Sequence, residues 1–204
     1  MWILGLDEAG RGSVLGPMVV GAFLVSADAL PLLRGAGADD SKRLSPARRA
    51  RALDALLAHG HPDVEVVSAA EIDGGNLNHI EEQVFIRMIL RHRPDLVQLD
   101  APCHPAAIPA LIRRLQAAVR PLQPSFVVEP KADATYPAVG AASIAAKLRR
   151  DAEIAALGPI GSGYPSDPVT RAHLLSLMQS GDPLPPYVRT RWGTLDKLRQ
   201  GGLF

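Results

Sequence analysis

The sequence predicts an α/β fold with a sheet-bearing core and a helical C-terminal part. Five short apolar runs have the length of strands, and segments with a helical period lie between the later runs. Only helical segments follow the last run. With 204 residues, 47% of them hydrophobic, the chain is long enough to bury one sizeable core.

The elements follow one another in a regular order. Strands are predicted at 2–6, 18–25, 64–67, 96–99 and 125–128, and a glycine-rich connection joins the first two as neighbours. Ser45 before Pro46 is typical of a helix start, which predicts a helix to about residue 58. Further helices are predicted at 78–90, 106–119, 138–155, 170–179 and 194–200. The Gly- and Pro-rich stretch 158–168 predicts a boundary between a core, 1–157, and a helical region, 158–204.

Composition excludes several classes of protein. A formal net charge of +1 excludes a strongly basic chain whose overall field would capture nucleic acid. Cys103 is the only cysteine, so no intrachain disulfide can form, and we expect a cytoplasmic protein. The apolar run 18–25 is far shorter than the roughly 20 residues that span a bilayer, so no membrane association is expected.

Carboxylates follow three of the predicted strands. Asp7 ends the first strand with Glu8 beside it, Asp100 ends the strand 96–99, and Asp133 lies in the loop after 125–128. Ligand sites collect at strand ends in open α/β sheets, and clustered carboxylates suit Mg²⁺ or Mn²⁺. Two such ions about 4 Å apart can promote phosphodiester cleavage. Taken singly, Asp100 or Asp133 is more often a turn former or a helix cap.

A glycine-rich loop follows the first two acids. Gly10-Arg11-Gly12 lacks the Gly-Lys-Ser/Thr ending of a nucleotide P-loop, and Gly16 is one position too late for the dinucleotide fingerprint. Binding of a nucleotide cofactor is therefore disfavoured. The loop instead suits close approach of the backbone to an anionic ligand.

Several motifs together resemble the ribonuclease HII family, with an archaeal-type C-terminal region. The resemblance spans nearly the whole chain and rests on LDEAGRGSVLGP (6–17), DSKRLS (40–45), KADA (131–134), AASIAAK (141–147), GSGYPSDPVT (161–170) and VRTRWGT (188–194). It implies a ribonuclease H-like mixed five-stranded sheet with flanking helices, and a C-terminal region that closes over the substrate. It also implies an endonuclease that cuts the RNA strand of RNA/DNA hybrids and single ribonucleotides in duplex DNA, leaving 3′-hydroxyl and 5′-phosphate ends. Such an enzyme acts in ribonucleotide and primer removal, in DNA repair and replication.

The same resemblance assigns roles to individual residues. The metal-binding and catalytic acids would be Asp7, Glu8, Asp100 and Asp133, the same four that the strand ends indicate. The loop Gly10, Arg11 and Gly12 would read the ribonucleotide 2′-hydroxyl, the group that distinguishes RNA from DNA. Further substrate contacts are implied for Lys42, Ser143, Lys147 and Tyr164. After Gly12 the chain has Ser13-Val14-Leu15 where family members commonly place a proline first, which predicts an altered loop stiffness.

Two alternatives stay open on the sequence. A DNA-processing nuclease such as a junction resolvase would share the clustered acids but would not need a 2′-hydroxyl reader. A noncatalytic hybrid-binding module would be expected to lack one or more of the acids, and all four are present. We expect a monomer. The tail 200–204 ends in Leu203 and Phe204, and its contact with a sliding clamp is only a hypothesis.

Overall fold

A mixed five-stranded sheet forms the centre of the molecule. The computed structural model describes residues 1–38, 44–193 and 195. The strands are β1 (Trp2–Ala9), β2 (Met18–Ser26), β3 (Gly60–Val67), β4 (Leu96–Asp100) and β5 (Ser125–Glu129), in the order β3-β2-β1-β4-β5. β2 pairs antiparallel with β1 and β3, whereas β1, β4 and β5 are parallel. The five predicted strands and the mixed sheet are confirmed.

Two strands are longer than the sequence predicts. β1 does not stop at Leu6, because the antiparallel ladder continues and pairs Asp7 with Gly21 and Glu8 with Val20. The first two acids therefore lie inside the strand rather than after it. β3 begins at Gly60 rather than at residue 64, and its first half contains Pro62. β3 is an edge strand, paired on one side only, and such a strand tolerates proline. Its first half is polar and lacks the alternation of apolar and polar residues that predicts a strand.

Helices flank the sheet. They are α1 (Leu32–Gly35), α2 (Pro46–Leu56), α3 (Ala69–Asp73), α4 (Leu77–His92), α5 (Ile108–Ala118), α6 (Ala132–Thr135), α7 (Pro137–Ala156) and α8 (Pro168–Ser180). A 3₁₀ turn, Pro105–Ala107, precedes α5. The longer helices match the predicted ones to within about two residues, the usual uncertainty of helix ends. The helix predicted at 194–200 lies almost entirely outside the described residues.

The two faces of β1 carry different helices. On one face α7 packs on β1 and β2 through Ile3, Phe23 and Ala142. On the other face Leu4 and Leu6 pack among side chains of α4 and α5. Because successive side chains of a strand point to opposite faces, Asp7 lies on the α7 side and Glu8 on the α4 side.

The C-terminal part docks onto the loop after β1. Val14 and Leu15 are buried in an apolar cluster with Ile154 of α7, Leu174 of α8 and Val188. Leu15 and Val188 form an antiparallel bridge, with backbone hydrogen bonds on either side of it.

The division into 1–157 and 158–204 stays a prediction. Within residues 1–38, 44–193 and 195, no helix combines the length and the hydropathy of a membrane span.

Candidate active site

Three of the four predicted acids converge at one edge of the sheet. Asp7 comes from β1, Asp100 from the last position of β4, and Asp133 from α6, and their carboxylates have oxygens within 4.8 Å of one another. β1 and β4 are parallel, so their carboxyl ends lie side by side. The carboxylates of three distant segments thereby form one cluster.

Asp7 is held rigidly at the centre of this cluster. Its side chain is 3% exposed and hydrogen-bonded to Ser143 of α7, and the Glu8 amide donates to its Oδ1 at 2.8 Å. Burial raises the pKa of Asp7 well above its ordinary value, and the neighbouring charge of Glu8 raises it further. Ser143, which the resemblance makes a substrate contact, lies buried against this catalytic candidate.

Asp100 and Asp133 are fixed by the start of α6. Oδ1 of Asp100 accepts a hydrogen bond from the Ala132 amide at 3.1 Å, at the first residue of that helix. Lys131 has a left-handed backbone, φ 61°, which turns the chain so that α6 brings Asp133 back to the strand ends. Asp100 thus binds the first amide of α6 as well as lying in the cluster, which links the end of β4 to the helix that carries Asp133.

Glu8 lies outside the group of three and faces α4. Burial raises the pKa of Glu8 to about 8, with a further contribution from the like charge of Glu81. Its Oε2 is buried and accepts no hydrogen bond from any described residue. Asp100 also acts on the Glu8 carboxyl electrostatically, so the fourth acid belongs to the same charged region.

Glu81 is a buried acid that the sequence analysis missed. It is 1% exposed, and burial raises its pKa to about 7 despite the pairing with Arg11. Arg11 binds both Glu81 and the Asn78 side-chain oxygen, one helical turn apart on α4. The spacing of Asn78 and Glu81 in a predicted helix was the available signal, but nothing in the sequence pairs them with Arg11.

The loop after β1 contacts the C-terminal part at Tyr164. The amide of Gly10 donates to the Tyr164 hydroxyl at 3.1 Å, and the Arg150 guanidinium carbon lies 4.5 Å from the centre of the Tyr164 ring. Gly10 has φ +82°, and a Cβ there would lie 2.5 Å from Nε of Arg150. Only glycine fits this position.

Of the two lysines predicted to contact substrate, the structure describes only Lys147. Lys147 is one third exposed, and its Nζ lies 2.7 Å from Oδ1 of Asp151 on the same helix. Lys42 lies outside the described residues. Neither position is placed against a nucleic acid, so both contacts stay predictions.

The acid cluster fits a divalent cation. Its three members are carboxylates, two of them buried, and burial together with like charge raises the pKa of Asp7 and of the neighbouring Glu8. A hard ion such as Mg²⁺ or Mn²⁺ takes carboxylate oxygens as ligands and would remove the repulsion among them.

We expect the metal-free protein to lose stability as the pH rises. Glu8 has an ordinary pKa of 4.5 and a folded pKa of about 8, so between these values the folded state keeps a proton that the unfolded chain releases. The stabilisation is complete below about pH 4.5 and is lost as the pH approaches 8. With chelator present, the melting temperature should be at least about 3 °C lower near pH 8.5 than near pH 5.5.

Thermal unfolding by circular dichroism measures this dependence. Mg²⁺ or Mn²⁺ should raise the melting temperature more at the higher pH, and Glu8→Gln should flatten the chelated profile. An equally steep profile in Glu8→Gln would assign the dependence to other groups.

Comparison with known proteins identifies the family. The family described as Ribonuclease HII matches residues 4–195. The chain belongs to the ribonuclease HII family. It is 38% identical to Ribonuclease HII of Methanothermobacter thermautotrophicus, over 98% of this chain and all of that protein. It is also 38% identical to Ribonuclease HII of Pyrococcus abyssi, over 98% of this chain and 92% of the relative.

Solved structures agree with this membership. Ribonuclease H2 of Pyrococcus horikoshii superposes with a TM-score of 0.86 at 36% identity, covering 98% of both chains. Ribonuclease HII of Archaeoglobus fulgidus, solved in a complex with PCNA, gives 0.85 at 37% identity, covering 94% of this chain and 95% of that one. Bst-RNase HIII, at 17% identity and a TM-score of 0.77, shares the fold alone. The chain is therefore an endonuclease of ribonuclease H type 2, and its substrate is nucleic acid.

Proposed function

We propose that this enzyme hydrolyses the RNA strand of RNA/DNA hybrids and cuts at single ribonucleotides embedded in duplex DNA. The observation that carries the proposal is the convergence of Asp7, Asp100 and Asp133 at the end of the strand that leads into the Gly10 loop. Cleavage would leave 3′-hydroxyl and 5′-phosphate ends, and the enzyme would act in ribonucleotide and primer removal.

The acids would hold Mg²⁺ or Mn²⁺. Asp7, Asp100 and Asp133 would share one ion, and Glu8, on the other face of β1, would contribute to a second. When bound, such ions activate a water and stabilise the leaving oxygen of a phosphodiester. The protein holds two of these acids in place before a metal binds: Ser143 and the Glu8 amide bind Asp7, and the Ala132 amide binds Asp100. Metal binding would therefore cost little side-chain conformational entropy.

Selection of RNA would come from the loop Gly10, Arg11 and Gly12. Backbone groups of glycine approach a sugar closely, and a 2′-hydroxyl both donates and accepts hydrogen bonds. Tyr164, which binds Gly10, would pack on the following deoxyribose and so favour an RNA-to-DNA junction. Lys42, Ser143 and Lys147 would lie along the nucleic-acid backbone, and residues 158–204 would close over the duplex.

Cleavage mapping on three labelled duplexes tests the proposal. The substrates are a DNA duplex with one ribonucleotide, an all-DNA duplex of the same sequence and an RNA/DNA hybrid, each with Mg²⁺ and with Mn²⁺. We expect cutting at the ribonucleotide and in the hybrid, and none in the all-DNA duplex. Equal cutting of the all-DNA duplex would favour a DNA-processing nuclease such as a resolvase.

We expect the enzyme to be a cytoplasmic monomer that can contact a sliding clamp. A cytoplasmic location fits a chain whose only cysteine is Cys103, and we expect a monomer. Contact with a sliding clamp is a hypothesis that the PCNA complex of the Archaeoglobus relative supports. The tail 200–204 lies outside the described residues, and clamp binding by the chain with and without it would test that contact.

A further inference from the structure

A buried arginine from the C-terminal part holds the loop after β1. Arg189 is 0% exposed, and its Nη2 donates to the Gly10 carbonyl at 2.7 Å. Its Nη1 donates to the Arg11 carbonyl at 2.9 Å, and its Nε to the Gly16 carbonyl at 3.0 Å. One guanidinium thus binds three carbonyls of a single loop, although Arg189 and Gly10 are 179 positions apart in the sequence.

These contacts fix the direction of two peptide units. In a trans peptide the C=O of one residue and the N–H of the next point in opposite directions. The carbonyls of Gly10 and Arg11 point inward to Arg189, so the amides of Arg11 and Gly12 point away from it. Neither amide donates a hydrogen bond to a described residue, and Gly12 is exposed.

We propose that Arg189 is a positioning residue for 2′-hydroxyl recognition: by binding the Gly10 and Arg11 carbonyls, it aims the Arg11 and Gly12 amides at the ribose. This inference rests on the proposed function of the loop. Arg189 itself touches no substrate, because it lies behind the loop and is fully buried.

The site is built for arginine in particular. A guanidinium offers five donors in a rigid plane, whereas a lysine ammonium is a point charge on a flexible stem. The plane is held from a second side, since its central carbon lies 5.2 Å from the Trp192 ring centre. The Arg189 amide also donates to the Val14 carbonyl at 3.0 Å, which anchors the backbone of Arg189 beside the same loop. Burial lowers the pKa of Arg189 to about 10, which leaves the guanidinium charged at neutral pH.

The test compares binding of two duplexes to Arg189→Lys. A fluorescent DNA duplex with one ribonucleotide and the all-DNA duplex of the same sequence are titrated with chelator present, so that neither is cut. The measured quantity is the dissociation constant for the all-DNA duplex divided by the dissociation constant for the ribonucleotide duplex. We expect Arg189→Lys to lower this ratio by about tenfold, the effect of about one lost hydrogen bond to a substrate hydroxyl, with all-DNA affinity unchanged within about twofold.

Arg191→Lys is the matched control. Arg191 lies two residues away and is exposed, and its Nη1 donates to the Asp73 carbonyl rather than to the loop. This variant should keep the wild-type ratio. A wild-type ratio in Arg189→Lys, or equal weakening of both duplexes, would overturn the positioning role. If wild-type protein itself shows no preference for the ribonucleotide duplex, the proposed function fails instead.

A measurement on wild-type protein keeps the inference testable if Arg189→Lys does not fold. In ¹⁵N-labelled protein, the amide signals of Arg11 and Gly12 should shift with the ribonucleotide duplex and remain nearly unchanged with the all-DNA duplex. Identical shifts with both duplexes would mean that these amides do not read the ribose, and the role of Arg189 would be refuted.

Discussion

Asp7→Asn should reduce cleavage of a single-ribonucleotide duplex by at least about 10³-fold, as expected for loss of an essential member of a catalytic cluster. Asparagine has nearly the same shape, and its Oδ1 can accept the hydrogen bond that the Glu8 amide now donates. The change therefore removes the charge and leaves the packing. Initial rates at saturating Mg²⁺ and at saturating Mn²⁺ measure the effect.

Stability provides an independent readout of the same variant. Burial and the charge of Glu8 raise the pKa of Asp7, so the ionised carboxylate destabilises the metal-free fold. Asp7→Asn should unfold at the same or a higher temperature with chelator present, and it should lose most of the metal-induced increase. Asp28→Asn, in the turn after β2 at the opposite end of the sheet, should change neither rate nor stability. Undiminished turnover by Asp7→Asn would refute its metal-binding role.

The sequence predicted the cluster because strand ends are visible in hydrophobic patterning. The apolar runs placed Asp7 and Asp100 at the ends of two strands, where ligand sites collect. The parallel pairing of β1 and β4, which brings the two acids to one edge, is a finding of the structure. The face of the sheet on which each acid lies was harder to predict. β1 extends through Ala9, and alternation along it then separates Asp7 and Glu8 onto opposite sides of the sheet.

Partners from distant segments could not be predicted. Arg11 pairs with Glu81, and Arg189 binds the Gly10 loop, but no periodicity or local spacing links residues this far apart. Glu81 and Arg189 are both charged and buried, and composition does not predict which charged residues are buried. The motif VRTRWGT contributed to the family resemblance, yet a role for its first arginine required the folded chain.

Ser13-Val14-Leu15 illustrates the same limit. The absence of a proline there predicted a change in loop stiffness. In the structure the Ser13 hydroxyl donates to the Gly10 carbonyl at 2.8 Å, and Val14 and Leu15 are buried against the C-terminal part. This segment contacts the Gly10 carbonyl on one side and the C-terminal region on the other, and only the packing reveals both contacts.

Gly5→Ala should destabilise the fold by about 1 to 3 kcal/mol, the usual cost of overpacking a core. A Cβ on Gly5 would lie 2.2 Å from the carbonyl carbon and oxygen of Ala138, which are backbone atoms of α7 and cannot rotate away. β1 is bonded on both sides, to β2 and β4, so the helix must move instead. The midpoint of urea unfolding measures the loss.

Displacement of α7 has a consequence for catalysis, because the same helix carries Ser143 to Asp7. Gly5→Ala should therefore slow cleavage even at temperatures where the variant remains folded. Gly35→Ala is the control, since a Cβ there meets no atom within 4 Å, and it should leave both the urea midpoint and the rate unchanged. A Gly5→Ala protein with wild-type stability would show that α7 can shift freely on the sheet. In that case the short distance between helix and strand would not be what fixes Asp7 in the acid cluster.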